Sequence, residues 1–284
     1  RPIPLKNTEK RSIMRHRSFA ALALAAVASL GLTACGGSGS TSSDVVTLTV
    51  GATPSPHAKI LNYVNDNLAA DAGIKIKVVE YTDYVQPNAA LDDGELDANF
   101  YQTVPYLENA EKQAGYDFEA GAGIHLEPLG VFSQKHQSLD ELPDGGTIGI
   151  ISDTSNQERA LRLLATQGLV SIPEGEGDVN INTVTKLKNF TFNEVDGPQL
   201  VRSLEDFDYA VINGNFAQEG GLSLSSDALV VESPVDNPAV NVLVWKNGSD
   251  KAEAIAKLEQ LLHSDQVKQY IEQTWSDGSV IPAF

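Results

Sequence analysis

The sequence predicts an α/β fold arranged as two lobes. Strand-like and helix-like stretches alternate from residue 45 onward, the alternation starts afresh after residue 130, and the chain closes on two helical stretches across 250–275. Strands alternating with short helices build parallel βαβ units, and a restart of the pattern calls for a second sheet.

Residues 45–51 (VVTLTVG) alternate as a strand does, and Ser55-Pro56 supplies a helix cap followed by a proline at the first helical position. Ile60, Leu61, Val64 and Leu68 then repeat at helical spacing until Gly73. A second strand at 74–81 (IKIKVVEY), a short helix at 85–91, a third strand at 96–100 and a helix at 104–114 follow. Residues 130–133 begin a crossover. Beyond it come a strand at 147–151 (TIGII), a polar loop at 152–156, a helix at 157–166 and a short buried strand at 209–213 (YAVIN). The two closing helices part near His263-Ser264. In open parallel sheets, ligands sit beyond the carboxyl ends of the strands, so Thr53, Asn99, Tyr101, Asp153, Asn156 and Asn213 are polar residues to read for function.

Ahead of the fold stands Cys35, the sole cysteine, directly after Leu32-Thr33-Ala34 and the apolar run 19–32 (FAALALAAVASLGL). The run is shorter than the ~20 residues of a membrane span, and Arg15 and Arg17 precede it, so the segment reads as a bacterial lipoprotein export signal with Met14 as its start. Residues 1–34 are therefore set aside as signal and upstream sequence, and 35–44 as a lipidated Cys35 and its tether. The stretch GGSGSTSSD has an expected end-to-end distance of roughly 15 to 18 Å.

Residues 1–34 hold six of the 20 Lys+Arg and one of the 38 Asp+Glu, which leaves 14 against 37 and a formal net charge of −23 for the remainder. Such an acidic body argues against nucleic acid, whose backbone is held by lysine and arginine. With no cysteine pair, the fold rests on its packed interior rather than on disulfides.

The chain carries no Gly-x-Ser-x-Gly elbow, no phosphate-binding Gly-x-x-x-x-Gly-Lys-Ser/Thr loop and no His-Glu-x-x-His zinc helix, and so offers no catalytic constellation. No short metal-ligand spacing is present, and no metal or cofactor is expected. The exception weighed is a zinc-capture protein using His57 and His125 from separate lobes with Glu127. More suggestive is Asp153-Thr154-Ser155-Asn156 with Arg159 one turn into the next helix. Unsatisfied N–H groups at a helix start and a guanidinium fork both suit a carboxylate, although Arg159 could equally pair with Glu158 or solvent. Tyr84, Tyr101 and Tyr106 bring rings that can line a pocket for an apolar or thioether side chain, or simply pack.

In order along nearly the whole mature chain run the Leu-Thr-Ala-Cys lipobox, Asp83-Tyr84-Val85-x-Pro87-Asn88, Asp97-Ala98-Asn99, Gln102 with Pro105-Tyr106-Leu107, His125-x-Glu127-Pro128-x-Gly130, Ser138-Leu139-Asp140-Glu141-Leu142, Pro198-Gln199-Leu200, Ala210-Val211-Ile212-Asn213 and Val240-Asn241. With these, the chain resembles the NlpA family of methionine-binding lipoproteins, the substrate-binding components of methionine ABC importers. The resemblance implies a type II periplasmic-binding fold whose first lobe comprises 45–130 and 235–284 and whose second is 131–234. It implies a side-chain pocket of Tyr84, Tyr101, Thr103 and Tyr106, a carboxylate held by Arg159, and amide contacts from Asn156, Asn213 and Asn241. It also implies a non-enzymatic role: capture of L- or D-methionine for a permease and ATPase, at the extracytoplasmic face of the cell membrane. Family members often carry His at the position of Thr103 and Phe at that of Tyr101, so a more hydroxylated side-chain end is expected here. A methionine-containing dipeptide or another apolar amino acid is the nearest alternative ligand. A zinc-binding lipoprotein or a surface-anchored enzyme is more distant.

Overall fold

Alternating apolar residues in VTLTVGA make β1 (Val46–Ala52), whose inward positions are fully buried. The computed structural model describes residues 44–284; the export signal, Cys35 and the tether through residue 43 lie outside the described residues. After β1 come α1 (Lys59–Asn67), β2 (Ile74–Glu80), α2 (Gln86–Asp92), β3 (Ala98–Thr103), α3 (Val104–Ala114), β4 (Phe118–Ala120) and β5 (His125–Leu126). β1 pairs in parallel with both β2 and β3, as the βαβ pattern predicts. The helix expected from Ser55 starts later. Ser55 is extended (φ −144°, ψ 134°), the Ser55-Pro56 peptide is cis and regular helix begins at Lys59. Rather than capping, the Ser55 hydroxyl donates to Gln218 Oε1 at 2.8 Å.

The chain then builds a second sheet from β6 (Gly130–Phe132), β7 (Gly146–Ile151), α4 (Thr154–Thr166), the small β8 (Val170–Ser171) and β9 (Thr185–Lys186) ribbon, β10 (Phe190–Val195), α5 (Gly197–Arg202), β11 (Tyr209–Ile212), α6 (Gly214–Glu219), α7 (Leu224–Asp227) and β12 (Val230–Val231). The five-strand order is β10-β7-β11-β6-β12. α4 begins three residues before the predicted 157 because Asp153 caps it, accepting from the Asn156 N–H at 2.9 Å. Ala160, Leu161 and Leu164 recur at helical spacing and pack on Ile148, Ile150 and Val211.

The chain returns to the first sheet as β13 (Val240–Lys246), then adds α8 (Ala252–Leu262), α9 (Asp265–Thr274) and β14 (Ile281–Pro282). β13 sits mid-sheet in the order β14-β5-β13-β3-β1-β2, antiparallel to β3, β4 and β5. The two helices expected across 250–275 are α8 and α9, whereas β13 and β10 have no counterpart in the sequence reading. Both sheets are mixed rather than purely parallel, the first through β13 and the second through β6, which runs antiparallel to β11 and β12. α1, α8 and α9 cover the first sheet through Ile60, Leu61, Val64, Ile255, Leu258 and Ile271. Among the described residues no helix is long and apolar enough to cross a membrane.

Candidate functional site

Strand register gathers the site. Asn241 on β13 lies opposite Thr103 on β3 and opposite His125 on β5, which sets three polar residues in a row across the first sheet. Thr103 also starts α3: its hydroxyl accepts from the Tyr106 N–H at 3.3 Å, which fixes the first helical turn and with it the Tyr106 ring. Past the end of β2, Asp83 Oδ1 accepts from the Val85 and Gln86 N–H groups at 2.8 and 2.9 Å, a turn that presents Tyr84. From the second sheet come Asn156 and Arg159 on α4 and Asn213 after β11. All eight residues expected from the sequence, Tyr84, Tyr101, Thr103, Tyr106, Asn156, Arg159, Asn213 and Asn241, line one hollow. It contains about 340 Å³ of non-atom space, part of it open solvent.

Part of the lining is aromatic. The rings of Tyr84, Tyr101 and Tyr106 lie 5.7 to 6.0 Å apart, centroid to centroid. The hydroxyls of Tyr101 and Tyr106 both donate to the Tyr84 carbonyl, at 2.9 and 2.8 Å, and Tyr84 donates to Asn215 Oδ1. Burial raises the pKa of all three phenols, so they stay neutral. Tyr101 and Thr103 both line the hollow, but the tyrosine O–H groups donate to backbone and Asn215, and the Thr103 oxygen accepts at its cap, which leaves its own O–H proton uncommitted. What these tyrosines leave for a guest is largely ring surface.

Another part of the lining is charged. Arg159 Nε and Nη2 donate to the two oxygens of Glu232 at 2.9 and 2.6 Å, and Nη2 also reaches the Glu127 carbonyl at 2.8 Å. Neither partner considered from the sequence, Glu158 or solvent, is the one used; Glu158 pairs with Arg162 instead. Two edges of the guanidinium are thereby fixed, and Nη1 makes no hydrogen bond to the described residues. Asn156 Oδ1 accepts from Asn213 Nδ2 at 2.9 Å, while its own Nδ2 is held by Asp153 at 3.1 and 3.2 Å.

His57 and Glu127 of the lining meet His125. Both histidines belong to the first sheet side, after β1 and on β5, so their expected placement on separate lobes is corrected. His125 Nε2 lies 2.7 Å and His57 Nε2 3.2 Å from Glu127 Oε1, and His57 Nε2 also lies 2.9 Å from Asn241 Oδ1. Burial lowers the pKa of His57 to about 4 and of His125 to about 3, which leaves both rings neutral, and burial raises that of Glu127. A 2.7 Å nitrogen–oxygen contact is a hydrogen bond. Two ligands each 2.0–2.1 Å from a tetrahedral zinc would stand about 3.4 Å apart. The cluster is thus a hydrogen-bonded His125–Glu127 pair beside His57, whose Nε2 is taken by Asn241.

Sequence reasoning missed Glu232, Asn215 and Gln102, and weighed His57 and Glu127 only as metal ligands. Glu232 meets Arg159 from 73 residues away, and no spacing signals it. Of the other strand-end residues, Thr53 bonds His57 Nδ1, whereas Asn99 is buried in an amide cluster with Asn88 and Gln102 beneath the hollow. That cluster ties α2 to β3.

Two α/β units that both contribute to one hollow lined by three tyrosines and a guanidinium define a solute-binding protein of the type II periplasmic-binding fold. The chain belongs to the NlpA lipoprotein family, whose family model matches residues 48–284. It is 34% identical over 258 residues to the methionine-binding lipoprotein MetQ of Bacillus subtilis, covering 88% of this chain and 93% of that protein. To the D-methionine-binding lipoprotein MetQ of Escherichia coli it is 32% identical over 270 residues, 94% of this chain and 98% of that one. A crystal structure of a putative lipoprotein from Actinomyces odontolyticus superposes with a TM-score of 0.83 at 86% identity, covering 85% of this chain and 100% of that one. A nutrient-binding protein from Burkholderia cenocepacia, solved bound to methionine, superposes with a TM-score of 0.77 at 34% identity over 84% of this chain and 100% of that one.

Proposed function

We propose that this protein captures methionine, in its L or D form or both, and delivers it to the permease and ATPase of an ABC importer. The lobes are 45–130 with 235–284, and 131–234. Cys35 carries the lipid anchor at the extracytoplasmic face of the cell membrane. The observation that supports this reading best is the lining of the hollow, in which three tyrosine rings that suit a thioether stand with Arg159, which suits an α-carboxylate. The methionine-bound Burkholderia structure and the MetQ relatives point to the same ligand class. No bond is made or broken in this role, and the work is closure around one zwitterion.

A thermal-shift panel of L- and D-amino acids, methionine dipeptides and zinc, with mass spectrometry of whatever co-purifies, tests the reading. Methionine at 100 times its dissociation constant should raise the unfolding free energy by about 2.7 kcal/mol. A panel in which no α-amino acid shifts the transition would remove the proposal.

A further inference from the structure

We infer that Glu127 receives the α-ammonium group of the bound amino acid, which makes a free cationic amine a condition of binding. The inference rests on the proposed amino-acid ligand and extends it to a residue and a substrate class. Among the residues lining the hollow, Arg159 is the one Lys or Arg and Glu127 the one carboxylate. A zwitterion brings one charge of each sign, and the lining holds one complement to each.

The neighbouring acids are already committed. Glu232 takes Arg159 and the Leu129 N–H, and Asp153 caps α4 through Asn156. Glu127 is prepared differently. Its Oε1 is hydrogen-bonded to His125 Nε2 at 2.7 Å and lies 3.2 Å from His57 Nε2, and these neutral rings, 5.0 Å apart, orient the carboxylate without cancelling its charge. Glu127 also accepts a backbone hydrogen bond from Asn215, and its Oε2 has no side-chain partner among the described residues. Oε2 lies 3.1 Å from where a Cβ on Gly214 would stand, so this glycine, itself part of the lining, leaves room for the carboxylate at the wall. Only 5% of Glu127 is exposed, and a buried carboxylate with no cation of its own attracts one strongly. Arg159 does not serve, because it meets Glu127 through the backbone carbonyl.

The test is calorimetry on wild type and Glu127→Gln with methionine and with its 2-hydroxy analogue, which keeps the carboxylate and thioether but replaces the ammonium with hydroxyl. Wild type should prefer methionine by about 30-fold or more, the range for a desolvated charge pair, and Glu127→Gln should lose most of that preference by weakening methionine alone. Equal affinities for the two ligands in wild type would overturn the inference even if the variant failed to fold. So would an unchanged preference in Glu127→Gln, or one zinc per chain retained through purification and lost in His125→Gln. Failure of wild type to bind any α-amino acid would instead remove the underlying reading as well.

Discussion

Arg159 and Glu232 are the residue pair on which the site turns, and the sequence revealed only half of it. The arginine was legible because it stands one turn past a polar helix start. Its carboxylate was not, because the contact depends on how the loop between β12 and β13 folds back. Their side chains are 14% and 13% exposed, so removing one partner strands a nearly buried charge. Arg159→Ala should therefore abolish methionine binding and also cost about 3 to 5 kcal/mol of stability. Urea denaturation and calorimetry on the same preparation check both effects. A variant of unchanged affinity would place the carboxylate site elsewhere.

At the scale of elements, α3 joins stability to selectivity through Thr103, which is both its cap and part of the lining. Thr103→Ala should cost about 1 kcal/mol from the lost cap, and Thr103→Ser should restore it. Thr103→His should change the ranking of side chains more than the unfolding midpoint; an unaltered ranking would remove Thr103 from the pocket wall. The strand β5 and the turn after β1 hold the histidines neutral, at pKa values of about 3 and about 4 against 6.5 when unfolded. The folded state thus refuses protons that the unfolded chain accepts. Stability present above pH 6.5 drains as pH falls toward 4, at about 1.4 kcal/mol per pH unit for each ring, with early protonation of Glu127 offsetting part. His125→Gln should flatten this acid limb by one proton's slope in urea titrations across that window, and an unchanged slope would mean that the ring is charged in the fold. Elements with clear periodicity, such as α3 and β7, were legible in sequence. β10 was not: FTFNEV buries only its first residue, so its alternation is faint. β13 was hidden for the opposite reason, since VNVLVWK is nearly continuous apolar chain that could equally be helix until its neighbours are known.

Across the whole molecule, α6 of the second sheet bonds to elements of the first at two places. Gln218 Oε1 accepts from Ser55 at 2.8 Å and from Trp275 Nε1 at 3.0 Å, and Asn215 accepts from Tyr84. Gln218 does not line the hollow, so Gln218→Leu should weaken methionine binding only by lowering the population of the closed form. Scattering should show a larger mean radius without ligand and the wild-type radius at saturation. Unchanged affinity and radius would assign Gln218 a packing role alone. Two sheets could be anticipated from the restart in the chain; which side chains fasten them could not, because these contacts join residues 57 to 163 positions apart, beyond any local spacing.

The tyrosine hydroxyls have a last consequence for what this receptor admits. With those phenol protons already tied up, the rings ask of a visitor bulk and softness more than any particular heteroatom. Selenomethionine, ethionine and norleucine should therefore compete with methionine within about tenfold, whereas serine and aspartate should be turned away.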